Sequence, residues 1–99
     1  MIIVAGTLSI DPSDFEKYRV AAEVMIAATL EEDGCQVYNF AQSVIDPSEV
    51  RVFEIWESAD HLKAHGTTPH MAVWRSALAA LKMGERHLAI YEVDKIGTL

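Results

Sequence analysis

Prolines and glycines cut this chain at Asp11-Pro12, Gly34, Asp46-Pro47, Gly66 with Thr68-Pro69, and Gly84. The pieces between the cuts differ in pattern, and that punctuation constrains the fold more than any other feature. Ile2 to Ile10 is apolar, rich in β-branched residues and too short for an independent helix, so it reads as a largely buried strand. Gly6 inside it removes a side chain, which points to a bulge, close packing or room for a ligand. Asp11 then offers a side-chain acceptor at a helix N-cap, with Pro12 at the first helical position, where no N–H is missed. Phe15, Tyr18, Ala22, Met25, Ile26 and Thr29 follow helical spacing, and Gly34 is placed to end that helix. Its last turn carries Glu31, Glu32 and Asp33, the wrong sign for a helix C-terminus. A solvated acidic end accounts for them, and a basic partner surface is the alternative.

Cys35 to Val44 alternates, with Gln36, Tyr38, Phe40 and Gln42 on one face. Asp46-Pro47-Ser48-Glu49 makes a turn, and Val50 to Glu57 returns as the second strand of an antiparallel hairpin. Its faces are Val50, Val52, Glu54, Trp56 and Arg51, Phe53, Ile55, Glu57. Ser58 caps a short helix from Ala59 to His65 that ends at Gly66. Thr68 and Pro69 restart a second one, with Met71, Trp74, Leu78 and Leu81 as its buried stripe. Lys82-Met83-Gly84 breaks it, His87 to Val93 forms a last strand, and Asp94 to Leu99 is a mostly polar tail. The order is β-α-β-β-α-β, an α+β split βαβ arrangement with an antiparallel sheet and helices on one face. Residues 1–99 read as a single domain. Both faces of Val50 to Glu57 carry large apolar residues, so the bare sheet face is expected to meet a second copy.

A chain of 99 residues buries only about two thirds of its unfolded surface, and its hydrophobic fraction of 51% also favours association. The net charge of −7 repels phosphate backbones and anionic lipid, which argues against nucleic acid and membrane partners. Cys35 is the only cysteine, so neither an intrachain disulfide nor a thiolate cluster is available. The start lacks the basic region of a signal peptide, and the expected location is the cytoplasm.

The chemistry concentrates between Phe53 and Trp74, which holds three of the four histidines and both tryptophans. Glu54 stands between Val52 and Trp56 on a strand face, where a carboxylate must be hydrogen-bonded, paired or protonated. It is either a structural ion-pair partner or a pocket carboxyl with a raised pKa. His61, His65 and His70 are spaced His-x3-His-x4-His, but Leu62 follows the first and Gly66 interrupts the helix, so no metal is expected. His65 and His70 either pin the helix break through backbone bonds or serve as a neutral imidazole base. A pocket walled by Trp56, Tyr38, Phe40 and Met71 would suit a flat aromatic ligand, with Glu54 and Trp74 as further candidate contacts. No nucleotide fingerprint, phosphate-cradling loop, paired-cysteine site or Ser-centred elbow is present, so no cofactor is expected.

Gly34-Cys35-x-x-Tyr38, Asp46-Pro47, Glu54-x-Trp56-Glu57-Ser58, Leu62-x-x-His65 and Thr68-Pro69-His70 resemble the antibiotic biosynthesis monooxygenase (ABM) family. The resemblance implies a ferredoxin-like fold that pairs as a dimeric α/β barrel. It also implies oxidation of a small quinol or phenol by O2 without metal, flavin or haem. In that scheme the deprotonated ring reduces O2 and a carbon-centred peroxide loses water to give a quinone. Carried onto this chain, the resemblance implies that Trp56 positions the ring or bonds an oxygen, His65 or His70 takes the proton, and Tyr38 and Glu54 orient and relay. The first strand has no Asn and the helix from Met71 to Leu81 has no His, unlike haem-degrading relatives. Val50 to Trp56 also lacks the Asn of anthrone-oxidising members. Rival readings are an isomerase or other small-molecule processing enzyme on the same fold, or a non-catalytic ligand-binding dimer.

Overall fold

The computed structural model describes all residues from Met1 to Leu99. Its elements are β1 (Ile2–Ile10), α1 (Phe15–Leu30), β2 (Cys35–Gln42), β3 (Glu49–Trp56), α2 (Ala59–His65), α3 (Pro69–Ala79) and β4 (Met83–Glu92). The sheet order is β2-β3-β1-β4 with every pairing antiparallel, the ferredoxin-like α+β arrangement expected from the element order. No helix is long and apolar enough to cross a membrane.

The local chemistry accounts for most boundaries. Asp11 accepts the backbone N–H of Ser13 at 3.0 Å, and a single 3-10 turn over Pro12–Asp14 feeds α1. Tyr18, Ala22, Met25 and Thr29 form its buried stripe, and the Thr29 hydroxyl donates to the Met25 carbonyl rather than remain unpaired. Ser58 caps α2 by accepting the His61 N–H, and Gly66 closes it. Thr68 and Pro69 begin α3 as the spacing predicts.

Several boundaries differ from the sequence reading. Helix α1 stops at Leu30, short of Gly34; the residues between form a turn, and Gly34 then adopts φ +80° to enter β2. A Cβ there would lie 2.3 Å from the His61 ring, so only glycine fits. The hairpin strands end at Gln42 and Trp56, slightly short of Val44 and Glu57. Strand β4 starts at Met83 rather than His87. Lys82-Met83-Gly84 is thus a strand entry as well as a helix stop, tied down where the Lys82 N–H donates to Asp14 and its carbonyl accepts from Asp11.

Gly6 resolves toward close packing. Its φ is +153°, and a Cβ would sit 1.9 Å from the His87 carbonyl oxygen on β4. The core lies between the sheet and α1 and α3, with Ile10, Met25, Val50 and Trp56 almost fully enclosed. The opposite sheet face carries no helix, and Phe53 and Tyr91 on it are about half exposed.

Candidate active site

Strand alternation turns Val50, Val52, Glu54 and Trp56 toward the helices, all buried. Register places Glu54 between Tyr38 on β2 and Val4 on β1. Two residues along the same face, the Trp56 indole N–H donates to Glu54 Oε1 at 2.9 Å. Burial pushes the Glu54 carboxyl above the usual carboxylate range, and Glu32 adds to that; the Trp56 bond and nearby His65 oppose it. Glu54 therefore has no ion-pair partner on the sheet, and its enclosure favours the protonated acid.

The break between α2 and α3 brings the two histidines together. His65 is the last residue of α2 and His70 lies in the first turn of α3. His65 Nδ1 lies 2.6 Å and His70 Nε2 2.7 Å from the same oxygen, Oε2 of Glu32. With a carboxylate as acceptor, both ring nitrogens are the N–H donors in the neutral imidazoles. That tautomer leaves His65 Nε2 with its lone pair, 3.3 Å from the Tyr38 hydroxyl. Burial and the carboxyl of Glu54 push the Tyr38 phenol far above its ordinary value, so it remains a neutral donor. The His65 ring packs against both the Tyr38 and Trp56 rings, with centroids 5.3 and 4.8 Å away.

Over this floor opens a cavity of ≈ 610 Å³, and 12 of its 16 lining residues are hydrophobic. Tyr38, Phe40, Glu54, His65, Met71 and Trp74 all line it, as the sequence suggests. Trp56 and His70 do not. Trp56 is fully buried and acts on the cavity through Glu54 and His65 instead of forming its wall. His70 supports Glu32 from outside. The backbone-pinning reading of His65 and His70 is also set aside, since the ring nitrogens that bond do so to the Glu32 carboxylate and the Tyr38 hydroxyl, not to backbone.

Sequence reasoning missed Glu32. Its side chain is only 13% exposed, so this member of the acidic run is not part of a solvated end. The available signal was a carboxylate two residues before Gly34, with two histidines elsewhere lacking an acid. On the β4 side of the cavity, Met83, Gly84 and Arg86 were missed because the strand was started too late, while Leu88 and Ile90 lay within the strand as read but were not assigned to the pocket. His61 does not join the cluster; its ring contacts Ser58 and Asp33. The ligand atoms of Glu32, His65 and His70 do lie within 4.8 Å of one another, a donor set of the type that suits a divalent cation.

A sequence profile described as antibiotic biosynthesis monooxygenase matches residues 1–77. The chain belongs to that family. The ABM profile covers the floor residues from Glu32 to Trp74 and ends before β4, which supplies the cavity's other wall. A candidate ABM protein of solved structure from Caulobacter crescentus superposes with a TM-score of 0.86 at 25% identity, covering 95% of this chain and 90% of that one. Another from Nitrosomonas europaea gives 0.86 at 23% identity over 94% and 98%. An uncharacterized Synechocystis protein is 24% identical over 99% of this chain and 67% of its own length. These likenesses support the ABM fold across nearly the whole chain, including β4.

Proposed function

We propose that this ABM protein oxidises a small quinol or phenol with O2, without a bound cofactor, and that His65 is its base. The observation that carries the reading is the Glu32–His65–Tyr38 line at the floor of an apolar cavity. A substrate hydroxyl entering beside Tyr38 gives its proton to His65 Nε2, and the Glu32 carboxylate stabilises the imidazolium that forms. The ring, now a phenolate, donates electrons to O2 and forms a C–O bond. Loss of water from the resulting carbon-bound peroxide gives the quinone, so phenol and O2 yield quinone and water. Tyr38 and Glu54 hold the oxygen of the ring, while Phe40, Met71 and Trp74 hold its faces.

The functional unit is a homodimer joined through the bare sheet face, where Phe53 and Tyr91 are 42% and 52% exposed. To test the activity, a panel of hydroquinones and phenols is incubated with the protein, and quinone absorbance is followed in air and under argon. An oxygen-dependent rate that His65→Ala abolishes is expected. No rate above buffer on any member would overturn the proposal. The acid-leaning Glu54 facing a His65 base favours one second reading, an isomerase that moves a proton between two substrate atoms. That enzyme would turn over equally well under argon.

A further inference from the structure

The cavity is polar at two ends, and the ends differ in sign. At the floor lie Glu54 and, through His65, the Glu32 carboxylate. At the other end Arg86 of β4 is the only Lys or Arg in the lining. Arg86 pairs across the sheet with Leu8, whereas Glu54 pairs with Val4. Four residues along β1 separate the two levels by roughly 13 Å. The neighbours of Arg86 in the strand, Glu85 and His87, point to the opposite face and bond to each other at 3.0 Å. On its own face it is flanked by Gly84 and Leu88, which carry no charge. An otherwise acidic chain thus keeps one guanidinium, unneutralised by its own carboxylates, at the edge of an apolar cavity.

We propose that the cavity selects aromatic substrates bearing a carboxylate at the end away from the reacting hydroxyl, and that Arg86 holds that carboxylate. This rests on the proposed reading of the floor as the reacting end. A carboxylate placed at the floor would face the Glu32 carboxylate behind His65 with no Lys or Arg to receive it, while one at Arg86 gains a planar, two-pronged hydrogen-bond donor. Charge therefore orients the ligand with hydroxyl inward and anion outward. The separation of the two ends favours fused rings over a single ring.

The test is calorimetric and does not depend on turnover. The native protein is titrated with the hydroxynaphthoate whose substituents lie at opposite ends of the fused rings, with its methyl ester, and with para-hydroxybenzoate. The naphthoate is expected to bind roughly tenfold tighter than its ester and tighter than the benzoate. Arg86→Met, an exposed change, should remove the preference for acid over ester while leaving the ester's affinity where it was. Equal binding of acid and ester by the native protein, or a preference that survives Arg86→Met, would overturn the proposal. If none of the three binds, the floor reading falls with it. If the acid preference is found but O2 produces no quinone, the oxidase reading fails and the Arg86 assignment stands.

Discussion

Replacing Glu32 with Gln keeps an oxygen that can accept from both histidines and removes only the charge. In the native chain that carboxylate takes two short bonds, from His65 Nδ1 at 2.6 Å and His70 Nε2 at 2.7 Å, with 13% of its side chain exposed. Bonds to a charged acceptor contribute about 1.5–3 kcal/mol against about 1 for neutral pairs. Removing the charge from both should therefore cost about 2 kcal/mol, or about 8–16 °C in Tm for a domain of this size. The same change loosens the tautomer of His65, because an amide can present N–H as well as C=O to Nδ1. Nitrogen NMR of the histidine rings reads this directly. The native protein should show His65 protonated at Nδ1, and Glu32→Gln should show a mixture. If the oxidation proposal holds, kcat should fall about a hundredfold. A native His65 protonated at Nε2, or a variant with unchanged Tm and ring signals, would refute the relay.

Glu54 has a folded pKa above its unfolded value of 4.5, so its stability contribution is present below that value and is lost as pH rises through the folded pKa. Glu54→Gln, which still accepts from Trp56, should thus gain Tm relative to the native protein as pH rises from below the unfolded value through the folded pKa; a constant difference would contradict the buried-acid assignment. Gly6→Ala should cost about 3 kcal/mol or more in denaturant unfolding, since its Cβ would strike the His87 carbonyl and its φ is unfavourable for L residues. A loss under about 1 kcal/mol would mean β4 can move away. Phe53→Lys on the bare sheet face should give a monomer by light scattering at micromolar concentration, and a persistent dimer would place the interface elsewhere.

The fold was legible because its boundaries are local chemistry. Asp11-Pro12, Asp46-Pro47, Ser58 and Thr68-Pro69 act on residues within a turn of themselves, and each lies where an element starts or reverses. Alternation along β3 likewise put Glu54 and Trp56 on one face, as read, and that face proves to be the helix side. The site was legible only in part because its decisive contacts are distant in the chain. Glu32 is separated from His65 by 33 residues and from His70 by 38, and an acidic run gives no local sign of which member turns inward. The entry to β4 was obscured for a similar reason. Gly84 looks like a break until Ser9 of β1 is set beside it, where a Cβ would come within 2.9 Å of the serine side chain. Trp56 was placed on the correct face, but alternation does not tell a wall residue from one enclosed behind it.

The strand order has a consequence for how the molecule is made. β1 is central, and one of its two neighbours is β4, so the first strand waits for the last. Met1 and Val93 are joined by hydrogen bonds in both directions, which marks how long a loop this pairing closes. The floor of the cavity can be assembled from residues up to Trp74, but its opposite wall comes from β4. A chain emerging from the ribosome therefore carries His65 and Glu54 before it has a chamber, with one edge of β1 unpaired until synthesis has passed residue 92. The cavity is closed by the final strand, so a chain that stalls early carries the Glu32–His65–Tyr38 line without the wall that bears Arg86.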